Sequence, residues 1–442
     1  MSGLTLTIVA ALGLVVGLVA PAFAETAKDP LSADEVDARI QKHRTSQVTL
    51  TVTDAAGKPL AGAPVQVKQV RHQFLSGCNI FLLKPGDTSA EQQAYQQRFE
   101  ALLNYATLPF YWGQFERQQG QPDTARLRAM AEWCSSHGIT PKGHTLVYHT
   151  VVPRWLAGKT PEEVAPLMLG RIRRDVADFA GLIDIWDVVN EAVNMPYYQV
   201  DRNPLAQTVR KMGRIGLIKE SFAAARAAGP RATLVLNDYD TSYQYEGLVE
   251  ECLEAGTPID VIGIQSHMHG GYWGARKVWD ACEKFARFGK PLHFTEVTIH
   301  SGEQRENMPT AGFPDWATTA EGEARQAAQV AEFYRTLFSH PSVRAVTWWD
   351  FSDKGAWPAA PAGLLRKDMS AKPAYDALLK LVKGEWRTGP LDLKTDAEGK
   401  VRFRGFLGTY AVEAAGMHAT ADVMQAGEAA LMVKVGPAAA RP

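Results

Sequence analysis

Two glutamates stand at the ends of strongly apolar segments of this chain. Glu191 directly follows IDIWDVVN (183–190), and Glu296 lies in PLHFTEV (291–297). A carboxylate among buried apolar residues is costly unless it is paired or has chemistry to perform. Two carboxyl groups about 5 Å apart suit retaining glycoside hydrolysis, in which one protonates the leaving oxygen and the other attacks C1 of the sugar. The sequence therefore predicts that Glu191 and Glu296 form a catalytic pair.

Polar and aromatic residues end the other apolar segments as well. Amide and imidazole groups can hydrogen-bond sugar hydroxyls, and indole faces form apolar platforms for pyranose rings. Each residue alone has a structural explanation, since a strand-ending glutamate can cap a helix and HMH (267–269) is only a weak metal pattern. Their joint position at five strand ends favours a functional site. The candidates are His144, His149, Asn190, which is placed to hold a sugar 2-hydroxyl, Asn237, Asp238, Gln265, His267, Trp349 and Trp357.

The elements that must position these residues alternate between short apolar and longer amphipathic segments from residue 77 onward. Eight such pairs, closing with PAYDALLKLVKG (373–384), predict an α/β fold, a (β/α)8 TIM barrel whose active site lies at the carboxyl ends of the strands. A doubly wound sheet is the alternative, but no glycine-rich phosphate-binding pattern follows the first strand. The predicted strands are 77–81, 105–112, 140–147, 183–190, 232–238, 259–266, 291–297 and 343–350, and helices are predicted at 91–104, 124–138 and 322–340.

The flanks of the barrel segment have a different pattern. Residues 47–70 and 390–416 alternate apolar and polar positions around D-A-A-G and D-A-E-G turns, which predicts β-hairpins. A lone hairpin is marginal in water, and chain termini often lie close together, so the two flanks are predicted to form one small β-sandwich. The predicted organisation is a signal peptide at 1–24, a β-hairpin flank at 46–76, a barrel at 77–384 and C-terminal strands at 385–436.

The first 24 residues contain an apolar segment followed by Ala22-Phe23-Ala24, a small-x-small cleavage pattern. We interpret them as a signal peptide, although no lysine or arginine precedes the apolar segment, and a membrane anchor is the alternative. The protein is then expected to be secreted or periplasmic, with no stable membrane insertion after cleavage. Export would permit disulfides, but the sequence does not pair Cys78, Cys134, Cys252 and Cys282.

The composition is that of an ordinary globular protein. The 442 residues are 46% hydrophobic and 21% charged, which is ample for one large domain and a smaller one. A net charge of −1 argues against a surface that binds polyanions, so nucleic acid is not an expected partner. The oligomeric state is left open.

Five motifs resemble those of glycoside hydrolase family 10, the retaining β-1,4-xylanases. WDVVNEA (186–192) is similar to the family's acid/base segment, W-D-V-V-N-E, and HFTEV (293–297) to its nucleophile segment, T-E-L. The other three are GHTLVYH, similar to G-H-T-L-V-W-H, VIGIQSHMH, similar to G-I-G-L-Q-x-H, and WWDFSDKGAW, similar to W-G-x-x-D-x-x-S-W. They occur in the family's order across a full barrel.

The resemblance implies a role for each matching residue. Glu191 would be the acid/base and Glu296 the nucleophile, and His267 would orient Glu296. Asn190 and His144 would contact the sugar in subsite −1, while Gln265, Trp349 and Trp357 would line the glycone side. The family needs no metal or organic cofactor, so none is expected.

The sequence also departs from the family pattern. The family's E-N-x-x-K-W stretch corresponds to TLPFYW (107–112), so three polar side chains that grip the glycone sugars are replaced. Hydrogen bonds to sugar hydroxyls discriminate strongly when present, and their absence should weaken or redirect substrate choice. The departing residues are Thr107 for Glu, Leu108 for Asn, Tyr111 for Lys, Tyr148 for Trp, Val151 for Gln and Thr298 for Asp. Tyr111 and Tyr148 thereby become candidate substrate-binding residues.

The sequence thus predicts a retaining glycoside hydrolase, similar to an endo-1,4-β-xylanase, that cleaves β-1,4-linked xylan or a related plant polysaccharide. One alternative keeps the mechanism but acts on a non-xylan β-glycan or an aryl glycoside. Another is a non-catalytic carbohydrate-binding protein, against which the retention of both carboxylates and Asn190 argues. Endo or exo action and the ligand of the small β module stay undecided.

Overall fold

A computed structural model describes residues 29–305, 312–313 and 315–437. The predicted signal peptide, residues 1–24, lies outside this range. The described chain begins with helix α1 (Ala33–Arg44) and continues into two strands, β1 (Thr45–Thr53) and β2 (Pro64–His72). Among the described residues, no helix has both the length and the apolarity to cross a lipid bilayer.

Eight parallel strands form a closed barrel in the middle of the chain. Each strand pairs with the next in sequence, and the last closes onto the first, with Trp348 opposite Cys78. Closure excludes the doubly wound alternative, because an open sheet has two unpaired edges. The predicted TIM barrel is therefore confirmed. The strands are β3 (Leu75–Asn79), β4 (Tyr105–Pro109), β5 (Thr140–Val147), β6 (Ile185–Asn190), β7 (Thr233–Asp238), β8 (Val261–Ile264), β9 (Leu292–Val297) and β10 (Val343–Trp348).

Helices surround the barrel and bury one apolar face each. In the longest of them, Val330, Phe333 and Leu337 are buried at the spacing of one helix face. Its first turn is capped by Thr319, whose hydroxyl accepts the Gly322 N–H at 3.0 Å. The helices are α2 (Ala90–Leu102), α3 (Trp112–Phe115), α4 (Thr124–Ser136), α5 (Pro161–Asp178), α6 (Pro204–Met212), α7 (Arg214–Ala228), α8 (Tyr243–Glu254), α9 (Gly274–Ala286), α10 (Ala320–Ser339) and α11 (Pro373–Leu379), with a 3-10 turn at Arg154–Leu156 and a π turn at Lys380–Glu385.

The two flanks of the barrel together form a two-sheet module. The C-terminal strands are β11 (Leu391–Lys394), β12 (Lys400–Phe406), β13 (Gly408–Ala414), β14 (Met417–Val423) and β15 (Gly427–Lys434). One sheet has the order β12-β1-β15 and the other β11-β2-β13-β14. Each sheet therefore needs strands from both ends of the chain. Their shared core includes Val48, Leu50, Val52, Val65, Val67, Val401, Phe403, Tyr410 and Val412.

The prediction that each flank folds as a β-hairpin is wrong in its strand pairing. The D-A-A-G turn does form, with the Asp54 N–H bonded to Lys58 O at 2.9 Å, but it leads only to a single bridge between Thr53 and Pro59. Strands β1 and β2 then lie in opposite sheets, as do β12 and β13. Alternation within a strand reports which face is buried, and it does not report which strand lies alongside.

A true hairpin joins β13 and β14, where Ala414 pairs with Met417. Its two-residue turn consists of Ala415 and Gly416, with φ angles of 52° and 72°. Two consecutive residues with positive φ match the turn whose twist suits antiparallel strands. This hairpin lies at and beyond the end of the segment in which the sequence predicted one.

A buried arginine ties the module to the barrel. Arg44, at the end of α1, is 4% exposed and donates to Phe338 O at 2.6 Å, His340 O at 2.6 Å and Val343 O at 2.8 Å. These carbonyls lie near the end of α10 and the start of β10, so the guanidinium group hydrogen-bonds the segment that connects this helix to this strand. Burial lowers the pKa of Arg44 to about 9.

We expect Arg44→Ala to lower the free energy of unfolding by about 2–4 kcal/mol, because it leaves buried carbonyls without these donors and removes a packed side chain. Denaturant unfolding followed by circular dichroism measures the change. Arg276→Ala is the matched control, since Arg276 forms an exposed pair with Asp29 and should change stability by less than about 1 kcal/mol. Equal stability changes in the two variants would contradict the role of Arg44.

The four cysteines are all buried and none forms a disulfide. Cys78 and Cys282 are fully inaccessible, and burial raises their pKa values well above the usual thiol range. They therefore pack as small apolar residues.

Candidate active site

Glu191 stands at the carboxyl end of β6 in a conformation that few non-glycine residues adopt. Its φ is 56°, in the left-handed region, and its N–H donates to Asn237 O at 2.8 Å. Such backbone conformations cost free energy and cluster at functional sites. The chain turns at Glu191, and the carboxyl group lies at the barrel mouth, where it contacts Tyr148 and Gln265.

One oxygen of Glu191 receives three hydrogen bonds. The Tyr148 hydroxyl donates to Oε1 at 2.9 Å, Gln265 Nε2 at 3.1 Å and Asn190 Nδ2 at 3.3 Å. The three donor residues lie at or just beyond the ends of β5, β6 and β8. The carboxyl group is therefore fixed in orientation by residues from three barrel strands.

Glu296, in β9, is held by residues of β7 and of the segment that follows β8. Asn237 Nδ2 donates to its Oε1 at 2.8 Å, and His267 Nε2 lies 3.1 Å from Oε2. A second imidazole nitrogen, His144 Nε2, lies 3.9 Å from Oε1. The residue is only 4% exposed overall, so these contacts replace most of its hydration.

A chain of amides connects the two carboxyl groups. Gln265 Nε2, which bonds Glu191, also lies 3.2 Å from Asn190 Oδ1. Asn237 Nδ2, which bonds Glu296, donates to the same Asn190 oxygen at 2.7 Å. Asn190 thus joins both sides, and the two glutamates belong to one hydrogen-bonded site.

Asn237 stood out in the sequence only as one of two polar residues ending a strand, with no assigned role. The structure gives it a fixed orientation, because Thr295 Oγ1 donates to its Oδ1 at 2.6 Å. A Cβ atom on the neighbouring Gly263 would lie 2.5 Å from the same oxygen. Glycine at 263 therefore leaves the space that the Asn237 amide occupies.

The two carboxyl groups have opposite pKa shifts. Burial, together with the negative charge of Glu296, raises the pKa of Glu191 to about 7. Burial alone would also raise the pKa of Glu296, but His144 and His267 lower it below the usual range. Near neutral pH one group can hold a proton while the other is ionised, as an acid and a nucleophile require.

His144 belongs to a buried relay that the sequence analysis did not identify. Its Nδ1 lies 2.7 Å from Asp187 Oδ2, and Lys142 Nζ lies 2.7 Å from the same oxygen. Burial acts to raise the pKa of Asp187, but Lys142 and His144 keep it below its usual value. The available signal was a charged residue inside each of two predicted strands, the aspartate of WDVVN and the lysine of TPKGHTLV.

Aromatic rings line the site around His144. Tyr111 and Trp349 each meet the imidazole edge-on, with ring centroids 5.2 Å apart in both pairs. Phe81, which the sequence analysis did not single out, touches both rings. Trp357 lies at the rim, 49% exposed, with its ring 5.1 Å from that of His267. The structure therefore brings the two predicted catalytic glutamates and the predicted substrate-binding residues to one end of the barrel, the latter being Tyr111, His144, Tyr148, Asn190, Gln265, His267, Trp349 and Trp357.

The family model for glycosyl hydrolase family 10 matches residues 77–381, which include every residue of the site. The chain belongs to this family. It is therefore a glycoside hydrolase, and the resemblance found in the five motifs is confirmed.

The chain is also similar to several named proteins at low sequence identity. Endo-1,4-beta-xylanase B of Thermotoga neapolitana is 27% identical over 269 residues, which cover 57% of this chain and 72% of that protein. Anti-sigma-I factor RsgI6 of Acetivibrio thermocellus is 23% identical over 394 residues, covering 86% of this chain and 46% of that protein. The crystal structure of xylanase 10B from Thermotoga petrophila in complex with xylobiose superposes with a TM-score of 0.60 at 23% identity, over 71% of this chain and 95% of that one. The superposition on that crystal structure shows that the two proteins share a fold.

The structure locates the residues at which this sequence departs from the family 10 motifs. Thr107 and Leu108 are fully buried in β4, and the Thr107 hydroxyl has no hydrogen-bond partner within the described chain. Thr298 lies behind His267, with its hydroxyl 3.4 Å from Nδ1. Val151 uses its carbonyl to accept the Gly113 N–H. Two of the three altered glycone positions therefore present no polar group to the cleft.

The remaining histidines have structural surroundings. His149 is buried between the rings of Tyr148 and Tyr198, and burial lowers its pKa to about 4. His269 stacks on His267, and its Nε2 lies 3.2 Å from Trp357 O. Among the described residues, no group of three or more His, Cys, Asp or Glu is arranged to hold a metal ion.

Proposed function

We propose that this protein is a retaining endo-β-1,4-glycanase that cleaves xylan or a related plant polysaccharide by double displacement. The observation that carries the proposal is that two carboxyl groups of one hydrogen-bonded site have opposite pKa shifts. The pKa of Glu191 is raised to about 7, and the pKa of Glu296 is lowered. Glu191 is assigned as the acid/base and Glu296 as the nucleophile.

In the first step, Glu191 gives its proton to the glycosidic oxygen while Glu296 attacks C1 and the C1–O bond breaks. The three donors on Glu191 Oε1 leave Oε2 as the oxygen that carries the proton. In the second step, Glu191 takes a proton from water, whose oxygen attacks C1 and releases Glu296. Both steps invert C1, so the β configuration is retained.

The surrounding residues bind the sugar and orient the pair. Asn190 is assigned to the 2-hydroxyl, and His144 to the sugar in subsite −1. His267 orients Glu296, as its 3.1 Å contact indicates. The remaining assignments are Gln265 to the glycone side and to Glu191, and Trp349, Trp357, Tyr111 and Tyr148 to the walls of the cleft.

The choice of xylan rests on relatives such as endo-1,4-beta-xylanase B of Thermotoga neapolitana. The altered glycone positions favour a second candidate, the same chemistry on a β-glycan or aryl glycoside without a xylose backbone. Turnover of unsubstituted xylan, glucuronoxylan, mixed-linkage glucan and aryl β-glycosides separates the two. Tight sugar binding without bond cleavage on any of them would favour a carbohydrate-binding protein and overturn the proposal.

The opposite pKa shifts predict the pH dependence of the reaction. Since Glu191 must be protonated in the free enzyme, kcat/KM should fall as pH rises through about 7. Since Glu296 must be ionised, kcat/KM should also fall as pH drops through its depressed pKa. A plateau on the acid side of neutrality is therefore expected, measured with an aryl β-glycoside at low substrate concentration.

Tyr148→Phe tests the assignment of the alkaline limb. The Tyr148 hydroxyl stabilises the ionised form of Glu191, so its removal should move that limb to higher pH. Tyr198→Phe is the matched control, because the Tyr198 ring packs against His149 and its hydroxyl accepts a hydrogen bond from Gln199. A limb that does not move in Tyr148→Phe would contradict the assignment of Glu191.

We also propose the processing and domain limits expected from the sequence. Residues 1–24 would be removed on export to the periplasm or the medium. The expected boundary between the first part of the β module (46–76) and the catalytic barrel (77–384) moves two residues earlier, because Leu75 and Ser76 already belong to barrel strand β3, and residues 385–436 would complete the module. N-terminal sequencing of the protein recovered outside the cytoplasm tests the cleavage site.

A further inference from the structure

Asp350 and Asn79 form a polar pair at the barrel mouth that the double-displacement mechanism does not use. Asn79 ends β3 and Asp350 follows β10, and these strands are paired in the barrel. Asn79 therefore stands beside Asp350, whose carboxyl group accepts the Trp357 N–H at 3.2 Å and whose pKa the Asn79 amide acts to lower. The two residues are 6% and 7% exposed.

The Asp350 carboxyl group differs from two other buried carboxyl groups of the barrel, because its partners are neutral. Asp353 bonds Lys372 and Asp187 bonds Lys142, both at 2.7 Å. The groups beside the Asp350 carboxyl group are the Asn79 amide and the Trp357 backbone N–H, and both are neutral. Burial, with the negative charges of Asp353 and Glu296, raises the pKa of Asp350 to about 8. At neutral pH it is therefore largely a neutral acid that can donate a hydrogen bond.

The surroundings of the pair are those of the glycone side. The ring of the preceding residue, Trp349, lies 5.2 Å from that of His144 and 5.9 Å from that of His267, so Asp350 stands next to the imidazoles that flank the nucleophile. Its neighbours in sequence and space, Trp349 and Trp357, are the predicted sugar platforms. The family motif W-G-x-x-D-x-x-S-W has glycine where this chain has Asp350, so the carboxyl group is an addition at this position.

We propose that Asp350 and Asn79 bind the glycone hydroxyls on the edge of the sugar away from C1 and C2. They would thereby replace the polar groups that the family pattern has at positions 107, 108 and 111 and that this chain does not carry. An acid and an amide together offer donors and acceptors that match a pair of neighbouring hydroxyls. The ligand class is a neutral pyranose. A carboxylate-bearing glycone should be rejected, because the pair offers it no cation and Glu296 repels it.

This inference rests on the proposed function and is tested with an aryl β-xyloside and its 3-deoxy and 4-deoxy analogues. In the full-length wild type, removal of one of these hydroxyls should lower kcat/KM about tenfold or more. In Asp350→Ala the same removal should cost little, because the partner is already gone. Asp350→Asn should keep most of the discrimination, since it preserves a neutral donor and the acceptor for Trp357.

Asp368→Asn is the control, because this exposed carboxylate also follows β10 in the chain and its hydrogen bonds within the described residues go to Ser370. If Asp350→Ala does not fold, Asn79→Ala decides, since it leaves the hydrogen bond from Trp357 to Asp350 in place. Unchanged discrimination in Asp350→Ala or Asn79→Ala, with equal losses of activity on all three substrates, would overturn the inference. A wild type without glycosidase activity would instead overturn the proposed function, so the two failures are distinct.

Discussion

Glu296→Ala is expected to lower kcat/KM for every β-glycoside substrate by at least about 10⁴-fold. The nucleophile forms the covalent intermediate, so its loss removes the route through which both steps pass. The loss should be independent of the leaving group, since even an activated aryl group needs a nucleophile at C1. Initial rates on a series of aryl glycosides with leaving-group pKa values from low to high measure it.

Two experiments make this result specific. Glu162→Ala is the matched control, because Glu162 forms an exposed pair with Lys211 and should leave the rate within about twofold. Added azide can occupy the space left by the Glu296 carboxylate and attack C1 directly. That single displacement gives an α-glycosyl azide. A β-configured product from Glu296→Ala would show that Glu296 is not the nucleophile.

Glu191→Ala is expected to have an effect that depends on the leaving group. Aryl glycosides that leave without protonation should keep kcat/KM near the wild-type value, while poor leaving groups should lose about 10²–10⁴-fold. kcat should fall for all of them, because no base remains to activate water in the second step. The alkaline limb of the pH profile should also disappear, since Glu191 is the group with a pKa of about 7 assigned to it.

The anomeric configuration of the glycosyl azide formed by Glu191→Ala shows whether the second step, attack on the glycosyl-enzyme, still takes place. In Glu191→Ala, azide attacks the glycosyl-enzyme from the face on which water normally arrives and gives a β-glycosyl azide. Glu191→Gln separates charge from shape, because the amide fills the same space but cannot exchange a proton. A uniform loss across all leaving groups would contradict the acid/base assignment.

The barrel was predictable because buried parallel strands produce continuous apolar segments whose ends are marked by polar residues. Each predicted strand contains most of its observed counterpart, and the boundaries differ by a few residues, as in β8, which is Val261–Ile264 rather than 259–266. The hairpin pairings were not predictable. Strands β1 and β2 carry regular alternation, but their partners lie more than 300 residues away, in β11, β12, β13 and β15.

For the site, residue types and strand ends were sufficient to nominate Glu191, Glu296, Asn190 and their neighbours. Parallel strands in a barrel bring their carboxyl ends to one rim whatever their separation in sequence, so position in the chain implies position in space. The sequence alone thus determined the fold of the central segment, the family and the list of polar residues at the mouth.

The tertiary structure decided what those residues do to one another. The opposite pKa shifts of Glu191 and Glu296 arise from burial and from imidazoles at 3.1 and 3.9 Å, distances that no motif records. The same holds for Asn237 between the carboxyl groups and for Asp350 beside Asn79. Hydrogen bonds and charges act over a few ångströms in three dimensions, whereas a motif lists only neighbours along the chain.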